Sequence, residues 1–89
     1  MEDVVRPPSL EDWLELIRIS PTDPMLRARF AAELIRMSLF EEAEQELTTC
    51  LELAPAHARP RLLIVVLRAR AKMAARRSAL VKQDLHLEP

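Results

Sequence analysis

The chain contains no glycine. Glycine is the usual residue where the backbone needs φ > 0, so tight hairpins, phosphate-cradling loops and dinucleotide fingerprints lack their normal building material. Aromatic residues make up only 3% of the chain, with one Trp, two Phe and no Tyr, which removes the stacking platforms that bind bases. The single cysteine, Cys50, excludes an internal disulfide. His57 and His86 stand 29 residues apart, so with one cysteine no metal-ligand spacing and no nucleophile–base pair can be read. No enzyme activity, cofactor or metal is expected. The longest apolar run, 62–67, is far below the roughly 20 residues of a membrane span. The opening MEDVVRPP is acidic and too short in its apolar run for a signal peptide. The expected location is the cytoplasm.

What is present favours helices. Ala, Leu, Arg and Glu dominate, all strong helix formers. Apolar residues are 49% of the chain and charged residues 30%, a globular rather than disordered balance. At 89 residues the chain is one small domain, near the lower end of what buries a useful core alone.

In chain order, residues 1–8 are expected to form a flexible lead, stiffened by Pro7 and Pro8. Ser9 followed by Asp12 is a capping-box pattern with the shorter acid. Leu10, Trp13, Leu14 and Ile17 then fall at helical spacing and put Trp13 in the core, and Pro21 stops the helix. Asp23-Pro24 opens a second helix, Asp capping free amides and Pro fitting the first turn. That helix carries two apolar faces, one of Phe30, Ala31, Leu34 and Met37 and a second of Ala28, Ala32 and Ile35. Ser38-Leu39-Phe40 is a turn without glycine. A third helix over 41–53 turns Ala43, Leu47, Cys50 and Leu51 inward and presents an acidic outer face. Pro55 ends it. Pro60 opens RLLIVVLRARAKM, read as helix despite the strand-like LLIVVL core because no other strand signal exists. Ala74–Arg77 is expected to be a second glycine-free turn, followed by a short helix over 78–87 capped by Ser78.

A fixed period runs through this pattern. IRISP, LELAP and LHLEP close at Pro21, Pro55 and Pro89, 34 residues apart both times. Such a spacing marks a helical repeat array. Pro24 to His57 resembles a tetratricopeptide repeat, a helix–turn–helix unit of this period. Phe30 and Ala31 stand where the family has its Leu-Gly pair, and Leu34 replaces the usual aromatic. Phe40 is the aromatic at the turn and Ala43 the small residue that lets the helices approach. Leu47, Cys50, Leu51, Leu53 and Pro55 complete the unit. Ala31 and Ser38 depart from the two family glycines. The flanks match less closely. Residues 9–21 fit a second helix alone, and in 58–89 the small position falls on Arg77. The resemblance implies an all-α superhelix of about five antiparallel helices over residues 9–89. It also implies an array either cut from a longer one or completed by a partner or a second copy.

In that family, partners bind the concave side, lined by the first helix of each unit. The resemblance places the groove on Met25, Ala28, Arg29, Ala32, Ile35 and Arg36, and on Arg59, Leu62, Leu63, Val66, Ala69 and Arg70. Ala28, Ala32 and Leu62 replace the Lys and Asn that clamp a C-terminal carboxylate, so no such clamp is expected and a helix-in-groove mode fits better. The competing reading makes the same residues ordinary core, closed by neighbouring helices.

Charge divides the chain. Residues 53–83 hold eight Lys/Arg and no acid, whereas 1–52 hold twelve acids and five bases. The function that the resemblance implies is a protein–protein interaction scaffold, an adaptor, co-chaperone or assembly factor that binds a helical or extended peptide on an apolar, basic-edged groove. The alternatives are self-assembly through exposed end faces, with acidic and basic ends pairing, and RNA or phosphate binding through 59–82. The last is disfavoured by the missing aromatics.

Overall fold

A computed structural model of the chain describes residues 7–87, with side chains as far as 84. The flexible lead expected over 1–8 falls largely outside the described residues, as does Pro89. Four helices follow one another, α1 (Leu10–Ile19), α2 (Pro24–Arg36), α3 (Phe40–Leu53) and α4 (Arg59–Leu87), and no strand occurs among the described residues.

The helix starts obey local chemistry. Ser9 Oγ accepts from the Asp12 amide at 3.2 Å while the Asp12 carboxylate accepts from the Ser9 amide at 2.9 Å, a complete capping box. Asp23 Oδ1 accepts from the amides of Met25 and Leu26 at 3.0 and 3.2 Å, with Pro24 in the first turn.

The α2–α3 turn solves the missing-glycine problem with Ser38, which takes φ = 64°. The amide of Ser38 bonds the Ile35 carbonyl at 2.9 Å, and that of Leu39 the Leu34 carbonyl at 2.8 Å. This is the Schellman pattern, with serine where glycine is usual.

α2 and α3 form an antiparallel hairpin that carries most of the core. The start of α2 meets the end of α3 through Ala28, Ala31, Leu47 and Cys50, and the end of α2 meets the start of α3 through Leu34, Ile35 and Ala43. Ala31, Ala43, Leu47 and Cys50 are fully buried. The two alanines keep the facing backbones close, since helix separation follows side-chain size at the contact. α4 then lies antiparallel to α3 and closes both clusters with Leu62, Val66 and Met73. Trp13 of α1 is half-buried, its ring stacked on Phe30 at 5.9 Å between centroids.

One expectation fails here. The turn at Ala74–Arg77 and the separate helix after it do not exist; α4 runs unbroken for 29 residues. The described residues therefore form four helices, not five. The physical reason is local. Residues 71–77 (AKMAARR) contain neither Gly nor Pro and consist of strong helix formers, so nothing stops propagation. Arg77, the misfit at the repeat's small position, lies on this continuous helix with its guanidinium 5.0 Å from the centroid of Phe40. No described helix is long and apolar enough to cross a membrane.

Candidate functional site: a basic-rimmed groove between α2 and α4

α2 and α4 both pack on α3, so they run parallel to each other and leave a trough between them. It encloses about 770 Å³ and is lined from α2 by Ala28, Ala32, Ile35 and Arg36. From α4 it is lined by Val65, Arg68, Ala69, Lys72, Ala75, Arg76 and Ala79. The floor is mostly alanine, small enough for another helix backbone to approach closely. The α4 wall, Val65 to Ala79, is about 21 Å long at the helical rise of about 1.5 Å per residue.

All four charged residues lining the groove are basic. Arg36 is ion-paired with Glu33, which raises its pKa through the side-chain hydrogen bond first and the charge attraction second. Arg76 has no acid partner; its guanidinium donates to the Arg36 carbonyl at 2.9 Å and to Ser38 Oγ at 3.2 Å. Arg68 and Lys72 are exposed and have no hydrogen-bond or ion-pair partner among the described residues. Three positive charges thus border an apolar floor with no acid in contact to offset them, which favours an anionic ligand.

Of the residues expected to form the groove, Ala28, Ala32, Ile35, Arg36 and Ala69 line it. Met25 is half-buried and packs against the core, and Arg29 and Arg59 are exposed outside the lining. Leu62 and Val66 are core, at 4% and 0% exposure, and cannot reach a ligand. Leu63 lies on the outer face of α4. Arg70 points towards α3, where its guanidinium holds the Glu44 carboxylate at 2.6 and 3.2 Å.

The groove-facing side of α4 was therefore misplaced by about one residue of helical rotation, roughly 100°. Val65, Arg68, Lys72, Ala75, Arg76 and Ala79 are the residues that sequence reasoning missed. Their helical spacing, i, i+3, i+7, i+10, i+11 and i+14, was the available signal.

Elsewhere, Cys50 is fully buried, and burial pushes its thiol pKa up, away from the reactive range. Among the described residues no group of three or more His, Cys, Asp or Glu side chains is placed to hold a metal ion. No family model, curated protein or solved structure matches the chain.

Proposed function

We propose that the chain is a helical-repeat interaction module of the tetratricopeptide kind, a cytoplasmic adaptor or assembly factor that receives an acidic amphipathic helix in the α2–α4 groove. The observation that carries this reading is the conjunction of an alanine floor with an acid-free basic rim. An apolar trough alone would suit any hydrophobic segment. The three cations without acid partners, Arg68, Lys72 and Arg76, select for a ligand whose apolar ridge is flanked by Asp or Glu. The parallel placement of two first-of-pair helices around one trough is also what the resemblance implies for a concave binding face.

The test is fluorescence anisotropy with two synthetic peptides of about 14 residues, the length that matches the groove wall. Both carry leucines at i, i+3, i+4 and i+7; one has glutamates on the flanks, the other lysines. The acidic peptide binds, more weakly as salt rises. The Arg68→Glu/Lys72→Glu double variant, both positions exposed, loses at least tenfold in affinity with helical content unchanged. Equal binding of the two peptides, or binding of neither, rejects the reading.

A further inference from the structure

The groove leaves a second surface unexplained, on the opposite side of α4. Leu63 and Leu67 are 42% and 54% exposed, and Val81 is 58% exposed. With Ala71 and Ala74, also exposed, they recur at spacings of four, four, three and seven residues. At about 100° per residue these five side chains fall within about 80° of one another, in a single stripe. No acid occurs on α4 before Asp84, and the stripe is bordered by basic residues, among them Arg59 and Lys82.

The other exposed large apolar side chains have a telling distribution. Apart from Met37, every described one lies on α4 or on α1. On α1, Leu10 and Leu14 are 39% and 53% exposed beside the core-facing Trp13 and Ile17. That helix carries Glu11, Asp12 and Glu15 against one base, Arg18, which is already hydrogen-bonded to Glu15. α1 packs mainly on α2, whereas α4 packs on α2 and α3. The two bare apolar faces therefore belong to different ends of the fold, one acidic and one basic.

We infer that the outer stripe of α4 is a docking surface for α1 of a second copy of this chain, giving head-to-tail association. Three observations select that occupant. Charge favours it, since an acidic helix meets a basic one. A symmetric α4–α4 pairing would instead bring basic edges together and leave Leu10 and Leu14 uncovered. Length permits it as well: the ten residues of α1 span about 15 Å and fit within the stripe, which is about 27 Å long from Leu63 to Val81. One contact also covers Leu10 and Leu14 together with the α4 stripe, which no pairing of like surfaces achieves, and leaves Leu16 and Ile19 exposed on the other side of α1. The contact joins two different surfaces, so each copy keeps one free face of each kind and association continues past the dimer, to rings or open chains. A single helix-on-helix contact is smaller than the ~1,600 Å² of a standard stable interface, so association is weak and concentration-dependent. This surface is separate from the groove, and neither reading depends on the other.

Sedimentation velocity at protein concentrations from about 10 µM to about 1 mM, spanning the affinities expected of a small interface, tests it. The wild type grows in mass with concentration and shrinks towards monomer in high salt. Leu14→Arg and Leu67→Glu each place a charge like the partner's own in the contact, at exposed positions that spare the fold. Each alone is monomeric with an unchanged helical signal. An equimolar mixture of the two forms one dimer and stops, because each variant keeps the one face the other needs. Trp13, the only tryptophan, lies beside the contact and changes emission in the mixture but in neither variant alone. A wild type that stays monomeric at low salt overturns the inference. So does a Leu14→Arg variant that still associates, which would show α4–α4 pairing, or a mixture that fails to dimerise.

Discussion

Arg76, far along α4, donates through Nε to Ser38 Oγ at 3.2 Å, and the same guanidinium reaches the Arg36 carbonyl at 2.9 Å. One side chain thereby serves two needs of the α2 terminus. It satisfies a carbonyl that the end of a helix leaves without an intrahelical partner, and it holds the residue forced into a left-handed conformation for want of glycine. The contact also fixes α4 against the C-terminal end of α2, at one end of the groove.

The Ser38–Arg76 pair makes a coupled prediction. Ser38→Gly removes the left-handed penalty, a gain of about 1 kcal/mol. It also removes the hydrogen bond to Arg76, a loss of about 0.5 to 1 kcal/mol at this exposed site. In the wild-type background the change is close to neutral. In an Arg76→Ala background the bond is already absent, so Ser38→Gly stabilises by about 1 kcal/mol. Urea unfolding of the four proteins in the cycle measures the difference; equal effects in both backgrounds would show that the bond contributes nothing.

The unbroken course of α4 predicts that Ala74→Pro is disruptive. A proline inside a helix deletes a backbone bond and clashes with the preceding turn, at a cost of about 3 kcal/mol. In a turn at the same position it would be tolerated. Far-ultraviolet circular dichroism and thermal unfolding of this variant therefore separate the two topologies. A fall in helical signal and melting temperature is expected, with Ala74→Leu as a control that changes neither substantially.

That position also shows where the sequence stops being informative. Helix starts were readable because Ser9, Asp12 and Asp23 act on amides within three residues of themselves. The turn at Ser38 and the inward Cys50 were readable for the same local reason. The expected turn at Ala74–Arg77 came from the repeat register and had no stop signal of its own. The groove face of α4 was lost for a different reason. LLIVVL is apolar all round, so periodicity cannot say which side is core, and only packing on Leu47 and Cys50 decides that Leu62 and Val66 are inside. The pairing of Arg70 with Glu44, 26 residues away, has no local trace at all. About half of the groove was legible, namely the α2 wall, whose polar residues leave one free apolar face, and Ala69 of α4.

Arg27 ties three segments together. Its Nη1 donates to Glu46 of α3 at 3.0 Å and its Nη2 to the Pro21 carbonyl at 3.1 Å, with both members of the ion pair only 18% exposed. Arg27→Ala strands a mostly buried carboxylate and frees the α1–α2 connection, for a loss of about 2 kcal/mol. Removing both partners, as Arg27→Met with Glu46→Met, leaves no stranded charge and costs less than Arg27→Ala alone. Chemical denaturation of the wild type and the two variants checks that order. A double variant worse than the single would mean that the pair itself, and not the stranded charge, dominates.

Cys50 gives a pH dependence with a definite sign. Burial raises its folded-state pKa, whereas in the unfolded chain the thiol ionises near its ordinary value of about 8.5. Above that pH the unfolded state holds fewer protons than the folded state, so stability falls as pH rises. Below it both states are protonated and the group contributes no slope. The stability of wild type minus that of Cys50→Ala should therefore be flat from pH 6 to 8. It should then decline by up to about 1.4 kcal/mol per pH unit, the limit for one proton, until the folded thiol itself titrates. Subtracting the alanine variant cancels the contributions of the other groups, which the two proteins share. In parallel, a thiol reagent at pH 8 should label Cys50 only in urea, because the fully buried sulfur is reached by opening the α2–α3–α4 core. A difference curve that rises above pH 8.5, or fast labelling of the folded protein, would place Cys50 outside that core.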